Sequence, residues 1–477
     1  MMGETAMARL ACLVLLALSL SARAQDWPHF RGPNGGVAVG DQKLPAEIGP
    51  DKNVLWKTPL PPGHSSPILH GDRIYLNAVR GKELLVLALD RRNGKVIWEA
   101  KAPDEAREKI HSIGSHAQCT PATDGERVVS FFGSSGLLCH DASTGKELWF
   151  VPMGPFKNDF GAANAPLIVG DVVILGQDHD SDSFLMAIDK HTGQTIWRTD
   201  RSEFPVGFAN PILWETNGKK QIVMAGTLRV VGYDFETGKE VWTVRGLARV
   251  MNMTPAVGPD GTLYVAGYAA GADPGSRIQA PPWDEMLAKH DTNKNGTLEI
   301  DELPPGDLKQ RFSLIDRDKD GHITKTEYEG MRRIFQTAQN RMVAIKPGGT
   351  GDITQTHVLW SQSKHMPFVP SPLLYKGHLF MVRNGGIIAS IDAKTGKLTR
   401  EERAGGSGDY YASPVGGDGK VYLFSQQGDL TVISAEPQWQ VLHSARFDDD
   451  VFATPALVNG RIYVRTAKHL YCFGSQP

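Results

Sequence analysis

Short apolar stretches, each closed by a turn rich in glycine, follow one another from about residue 53 to the end of the chain. Spacing of this kind predicts many short strands in place of long helices. One form recurs: a small residue, a proline, an apolar pair, a turn and an apolar strand. It is seen as SSPILHGDRIYL from Ser65, CTPATDGERVVSFF from Cys119, NAPLIVGDVVIL from Asn164 and ANPILWETNGKKQIVMAG from Ala209. It returns as MTPAVGPDGTLYVAG from Met253, PSPLLYKGHLFMV from Pro370, ASPVGGDGKVYLF from Ala412 and ATPALVNGRIYVR from Ala453. The prolines of these copies are Pro67, Pro121, Pro166, Pro211, Pro255, Pro372, Pro414 and Pro455, spaced by 41 to 54 residues except for 117 between Pro255 and Pro372.

A second pattern completes each unit. VLALDRRNGKVIW (86–98), LCHDASTGKELW (138–149), MAIDKHTGQTIW (186–197) and VGYDFETGKEVW (231–242) read as strand, Asp-x-x-Thr/Asn-Gly turn, and strand ending in Trp. IASIDAKTGKLT, from Ile388, keeps the turn and loses the Trp. An Asp side chain that bonds backbone N–H groups, followed by a Gly that accepts positive φ, is hairpin chemistry. A unit of roughly 43 residues with four short strands has the period of a propeller blade. The last copy stops after HLYCFG (469–474), three strands in, and DKNVLWKTPL near the N-terminus supplies a fourth. The expected fold is therefore all-β: an eight-bladed β-propeller of four-stranded blades, closed by the N-terminal strand. An open solenoid of eight repeats would expose two unpaired edges.

Composition narrows the functional classes. Hydrophobic residues make 41% and charged residues 22%, which excludes a disordered chain and a multi-span membrane protein. The 51 glycines and 30 prolines belong to the hairpins and blade starts. A formal charge of −2 gives no basic field for nucleic acid or anionic membrane. Four cysteines cannot frame a chain of 477 residues. Cys139 and Cys472 hold the place where other units carry Ala88, Ala187, Gly232, Ala344 and Ser390, so compact apolar filling is their expected role. Cys119 and Cys139 fall on strands that are not neighbours, against a disulfide between them.

Arg9, the apolar run from Leu10 to Leu20, and Ala22-Arg23-Ala24 form a signal peptide cut after Ala24. The run is short of the ~20 residues that span a bilayer, and no later run is long enough. Cys12 lies before most of the apolar stretch, which speaks against lipidation. The expectation is export through a cleavable signal peptide to the periplasm or outside the cell. No transmembrane segment is expected in the mature protein.

The repeated Ala-x-Asp-x-x-Thr-Gly-x-x-x-Trp pattern resembles the blade signature of the PQQ-like (pyrroloquinoline quinone repeat) β-propeller family, secreted bacterial type. DWPHFRGPNGG (26–36) is similar to the mature N-terminus of its secreted members. The resemblance implies a structural role between blades for Trp56, Trp98, Trp149, Trp197, Trp242 and Trp360. Quinone-dependent dehydrogenases share this scaffold. They set an adjacent cysteine pair, an acidic base and Ca²⁺ ligands in the funnel; this sequence has no Cys-Cys pair and no c-type haem motif.

The long interval holds an insertion at about 268–341. DTNKNGTLEIDE (291–302) and DRDKDGHITKTE (316–327) both satisfy D-x-[DN]-x-[DN]-G-x5-E, the EF-hand loop. The expected Ca²⁺ ligands are Asp291, Asn293, Asn295, Thr297, Glu299 and Glu302 in the first loop. In the second they are Asp316, Asp318, Asp320, His322, Thr324 and Glu327. Hard oxygen donors at this spacing suit Ca²⁺, giving two sites. Leu298 and Ile323 should join the loops by a short strand contact, and Pro304-Pro305 cuts short the helix leaving the first loop. Acidic surface turns do not produce two full matches in tandem. Dockerin-type loops are disfavoured by the closing glutamates and the entering helices.

The chain thus divides into a signal peptide (1–24), an N-terminal extension (25–52), blades (53–267), an EF-hand pair in the fifth blade (268–341) and further blades (342–477). The segments leading into each blade should line a funnel, and His64, His116, Asn164, Asn210, Asn252, His365, Tyr410, Tyr411 and Asp450 are its candidates. The three histidines among them could bind a transition metal, without a local signature for one. No catalytic residue is nominated. The expected protein is a monomeric, exported Ca²⁺-binding propeller that holds an unknown protein or small-molecule ligand at its funnel without catalysis. Propellers that assist outer-membrane protein assembly are similar in class. A PQQ-dependent oxidoreductase acting on an alcohol or sugar is the alternative.

Overall fold

The computed structural model describes residues 26–103, 107–179 and 182–475; residues 1–24, expected as a signal peptide, and with them Cys12, lie outside the described residues. Eight antiparallel sheets form the ring, and each repeat supplies one. Blade 1 holds the strands Ile68–His70, Arg73–Arg80, Glu83–Asp90 and Val96–Ala102, in that order. The first strands of neighbouring blades touch one another around the axis. Middle strands such as Glu83–Asp90 are buried on both faces by the adjacent blades, whereas the outer strand Val96–Ala102 is largely exposed.

The ring closes as expected. Val54–Pro59 pairs antiparallel with His469–Phe473 as the fourth strand of blade 8, with Trp56 opposite Cys472. Blade-to-blade docking follows one rule at five boundaries. The indole N–H of Trp56, Trp98, Trp149, Trp197 and Trp360 donates to the carbonyl of the residue after the turn Asp of the next blade: Arg91, Ala142, Lys190, Phe235 and Ala393. The turn glycine then lies flat on the ring: a Cβ on Gly145 would come within 2.7 Å of Trp98. The residue opposite the Trp is small for the same reason, with Cys139 facing Trp149. Cys119, Cys139 and Cys472 are buried free thiols.

Trp242 departs from the expected role. Blade 5 has no Asp-x-x-Thr-Gly turn between its third and fourth strands, Arg341–Ile345 and Val358–Gln362. Trp242 therefore has no turn to meet. It folds over Gly232 of its own blade, donates to Gln221 Oε1 at 2.8 Å and packs edge-on against Trp214. In its place the short strand Gly351–Asp352 pairs in parallel with blade 4. Where blade 6 lacks its Trp, Arg400 instead stacks on Trp439 of blade 7, 4.6 Å from the ring centroid.

The N-terminal extension crosses one end of the ring. Trp27 pairs with Leu69 of blade 1, Arg31 donates to Pro372 O of blade 6, and Ala38 N–H reaches Gly416 O of blade 7. Leu44 N–H meets Asp418, and the phenol of Tyr422 donates to Pro45 O. Among the described residues no helix is long and apolar enough to cross a membrane.

The insertion leaves after Gly267 and returns at Arg341, residues that face one another in the sheet. It contains α1 (Trp283–His290), α2 (Asp307–Gln310), α3 (Phe312–Ile315) and α4 (Lys325–Thr337). Its own core gathers Trp283, Met286, Phe312, Tyr328, Met331 and Phe335, with the last three on one face of α4 as the sequence predicts. The helix expected to enter the second loop is broken at Arg311 into α2 and α3.

Candidate functional site

The two loops of the insertion are tied back to back. Leu298 and Ile323 exchange both backbone hydrogen bonds, at 3.1 and 2.9 Å. Gly296 and Gly321 take the positive φ of the sharp turn, and their N–H groups donate to Asp291 and Asp316. The closing glutamates already span their loops: Glu302 accepts from Thr292 N–H and Glu327 from Arg317 N–H. Glu327 also forms a capping box with Thr324 at the start of α4.

The loops differ in readiness. In the second, carboxylate oxygens of Asp316, Asp318 and Asp320 lie within 4.8 Å of one another, and Asp316 Oδ1 is buried without a partner. Burial, and after it the charges of Glu327, Asp320 and Asp318, pushes the Asp316 carboxyl up. In the first loop Asn293 and Asn295 both donate to Glu299, and the imidazole of His322 lies 2.7 Å from the same carboxylate. Oxygen donors at this spacing are the kind Ca²⁺ takes, and Thr297 and His322 stand at the sequence position that offers a backbone carbonyl in each loop.

The second candidate is the central funnel, a cavity of about 940 Å³. Its wall has a simple origin in the repeat. The chain reaches each blade proline in extended form, so side chains alternate. The residue three before the proline faces the cavity in every blade: His64, Gln118, Ala163, Phe208, Asn252, Val369, Tyr411 and Phe452. The residue one before it forms a belt below. Across seven of the eight boundaries, a belt N–H donates to the side-chain oxygen of the next blade's belt residue. The last link, Thr454 N–H to Ser66 Oγ at 3.0 Å, joins blade 8 to blade 1. Ala165 carries no oxygen and leaves the one gap, facing Thr120. Phe30 of the extension also lines the cavity.

Of the nine residues expected at the funnel, His64, Asn210, Asn252 and Tyr411 line it. The others do not. Asn164 is buried between blades and donates to Ala209 O; Tyr410 is buried and donates to Gly406 O; His365 pairs with Glu401 at 2.8 Å. His116 and Asp450 fall outside the lining. The three histidines do not converge, and among the described residues only Asp316, Asp318 and Asp320 gather as metal ligands. His64 stacks on Phe452 at 3.9 Å, and burial, with Arg465 nearby, lowers its pKa to about 4. The wall mixes aromatic, aliphatic, amide and hydroxyl side chains with the cations Lys109, Arg249 and Arg311. The only carboxylate among the described lining residues, Asp159, accepts from Ser313 at 2.9 Å.

A family model described as outer membrane protein assembly factor BamB matches residues 82–272 and 330–476. The chain belongs to the BamB family of PQQ-repeat propellers. An EF-hand model matches 308–331, the second loop with its flanking helices. BamB of Yersinia pestis is 21% identical over 81% of this chain and 90% of its own length. The 1-butanol dehydrogenase (quinone) of Thauera butanivorans is 28% identical over 30% of this chain, which spans only 24% of that enzyme. Among solved structures, BamB of Moraxella catarrhalis superposes with a TM-score of 0.55 at 15% identity, covering 88% of this chain and 98% of that one. A europium-containing methanol dehydrogenase superposes at 0.52 and 13% identity, covering 95% of this chain and 99% of that one. These last two likenesses concern the fold.

The described funnel lining of this BamB-family chain differs from the set that the resemblance to quinone-dependent dehydrogenases implies. Its described lining offers one carboxylate, already engaged by Ser313, in place of a base plus a Ca²⁺ ligand set. Its described cysteines are separate and buried away from the lining.

Proposed function

We propose that the protein is an exported, Ca²⁺-binding propeller that holds a ligand or partner at its funnel and catalyses no reaction. The observation that carries this reading is the make-up of the funnel wall, which offers aromatic, aliphatic and amide surface for binding and, among its described residues, a single carboxylate, Asp159, already engaged by Ser313. The match to BamB over most of both chains supports it. The two insertion loops bind Ca²⁺ through the twelve residues named above. Affinity of ~10⁻⁴ to 10⁻³ M, typical of extracellular modules, makes the ions structural clamps more than sensors. Export proceeds through residues 1–24, and the protein works as a monomer.

Partial identity to quinone dehydrogenases keeps one rival in view, a PQQ-dependent oxidoreductase of alcohols or sugars. Adding pyrroloquinoline quinone and Ca²⁺ to the purified protein separates the two. The expected result is no stoichiometric uptake by absorbance and no alcohol-dependent dye reduction; uptake with turnover would overturn the non-catalytic reading.

A further inference from the structure

The mouth of the funnel is shared between two distant parts of the chain. Arg249, Val250 and Asn252 enter it from the segment joining blades 4 and 5; Gln310, Arg311, Ser313 and Leu314 enter it from the insertion. The insertion is seated against blade 3 by polar contacts. Ser313 Oγ donates to Asp159, Arg317 donates to Ser202 O at 3.0 Å, and Lys319 Nζ lies 3.9 Å from Asp159. Arg317 and Lys319 are positions 2 and 4 of the second loop, so the ion-binding loop itself makes this seat.

Two guanidinium groups line the cavity here. Arg249 donates through Nη2 to Ala270 O at 3.2 Å, while its Nε is buried with no partner. No carboxylate among the described residues lies within 4 Å of it. Arg311, held by Asp307 at 2.6 Å, lines the same cavity. Burial, and after it the charge of Arg311, brings the Arg249 pKa down to about 10. Asp307 pairs with Arg311 and Asp159 with Ser313, while Lys109 adds a third cation to the lining, so Arg249 is left with no carboxylate of its own, a deficit that an anion would fill. Asn158, on the same wall, has a buried Nδ2 that is likewise without a partner. Phe160, Phe208, Phe368 and Phe452 supply apolar surface around these donors.

We propose that Arg249 and Arg311 form an anion site at the funnel mouth, shared by propeller and insertion, for a ligand with a carboxylate or phosphate on an apolar body. The site rests on the reading of the funnel as a binding cavity. It is complete only when the insertion is seated, so the ion-binding loop supports ligand capture.

Calorimetric titration of the full mature chain in saturating Ca²⁺ tests this with 2-naphthoate, 2-naphthyl phosphate and uncharged 2-naphthamide. Charge-assisted bonds to one ligand group predict an anion bound about tenfold or more tighter than the amide. Whichever anion binds better identifies the head group. Arg249→Gln and, separately, Arg311→Gln should each lose that advantage, with amide binding unchanged. Arg249→Lys should recover part of it, and near-UV circular dichroism checks that each variant is folded. Equal affinity for amide and anions, or unchanged anion affinity in both glutamine variants, would overturn the anion site and leave the binding funnel standing. Failure of all three probes to bind would remove the small-ligand funnel together with the site.

Discussion

The belt of hydrogen bonds beneath the funnel makes a quantitative prediction about ring closure. Ser66 is buried, and its Oγ accepts the N–H of Thr454, the bond that joins the last blade to the first. Ser66→Ala removes the acceptor and leaves a buried N–H facing a methyl group. The cost is the lost bond plus the desolvation of the stranded donor, about 1–3 kcal/mol. With an unfolding entropy of about 2.1 cal/mol/K per residue, a ring of roughly 420 residues converts this to a fall in Tm of about 1–3 °C. Ser66→Thr, which keeps the oxygen with the residue that three other blades carry, should stay close to the parent. The reverse substitution lies at the gap: Ala165→Ser offers Thr120 its missing acceptor and should raise Tm by about 1 °C. Differential scanning fluorimetry, repeated by calorimetry, resolves these shifts. The belt has no mechanical role if Ser66→Ala and Ala165→Ser both leave Tm where it was.

Two further outcomes follow from the loops and the buried histidines. Glu302→Gln with Glu327→Gln should abolish Ca²⁺ binding by calorimetry, and Glu327→Gln alone should remove the tighter site, since the second loop gathers its carboxylates without amide ties; unchanged binding in the double variant would move the ion out of the insertion. Burial lowers the pKa values of His64 and His140 to about 4. Between about pH 6.5 and 4 the unfolded chain binds protons there that the folded chain refuses, so stability should fall as pH falls through that window. His64→Gln with His140→Gln should flatten the dependence of Tm on pH, and an equally steep slope would assign the acid sensitivity elsewhere.

The ring was legible because each blade repeats its chemistry. Proline, apolar pair, Asp-x-x-Thr-Gly and Trp recur in register, and Trp56 signals that the N-terminal strand completes blade 8. The funnel was half legible. Choosing polar residues near each proline found His64, Asn210, Asn252 and Tyr411, yet register decides orientation in extended chain. Asn164, two residues before its proline, points into the blade boundary, whereas Phe208 and Phe452, three before theirs, face the cavity. Counting back from the proline would have found the whole upper ring. No such signal marks Arg311 or Asp159, because their meeting depends on where the insertion docks, which neither segment encodes alone.

The boundary between blades 4 and 5 departs from the Trp rule because of a hairpin that blade 5 lacks, and not because of the insertion itself. Gly267 and Arg341 are directly opposed in the sheet, so the insertion departs and returns at neighbouring positions and the second and third strands of blade 5 remain paired. What blade 5 lacks is the next hairpin, where a Gly-rich stretch, the helical turn Thr354–His357 and the strand Gly351–Asp352 replace the tight turn. Without a turn carbonyl and a flat glycine, a Trp at the usual outward position would leave its indole N–H without that partner. Trp242 instead turns inward, where Gly232 gives it room and Gln221 accepts its proton. The parallel pairing of Gly351–Asp352 with Glu240–Arg245 restores contact between blades 4 and 5 through the backbone. Asp352 adds an ion pair to Arg245 at 3.1 Å. The boundary beside the insertion is thus held by main-chain pairing and a buried Trp pair, so the ring accommodates the EF-hand insertion with the strands of blade 5 still paired.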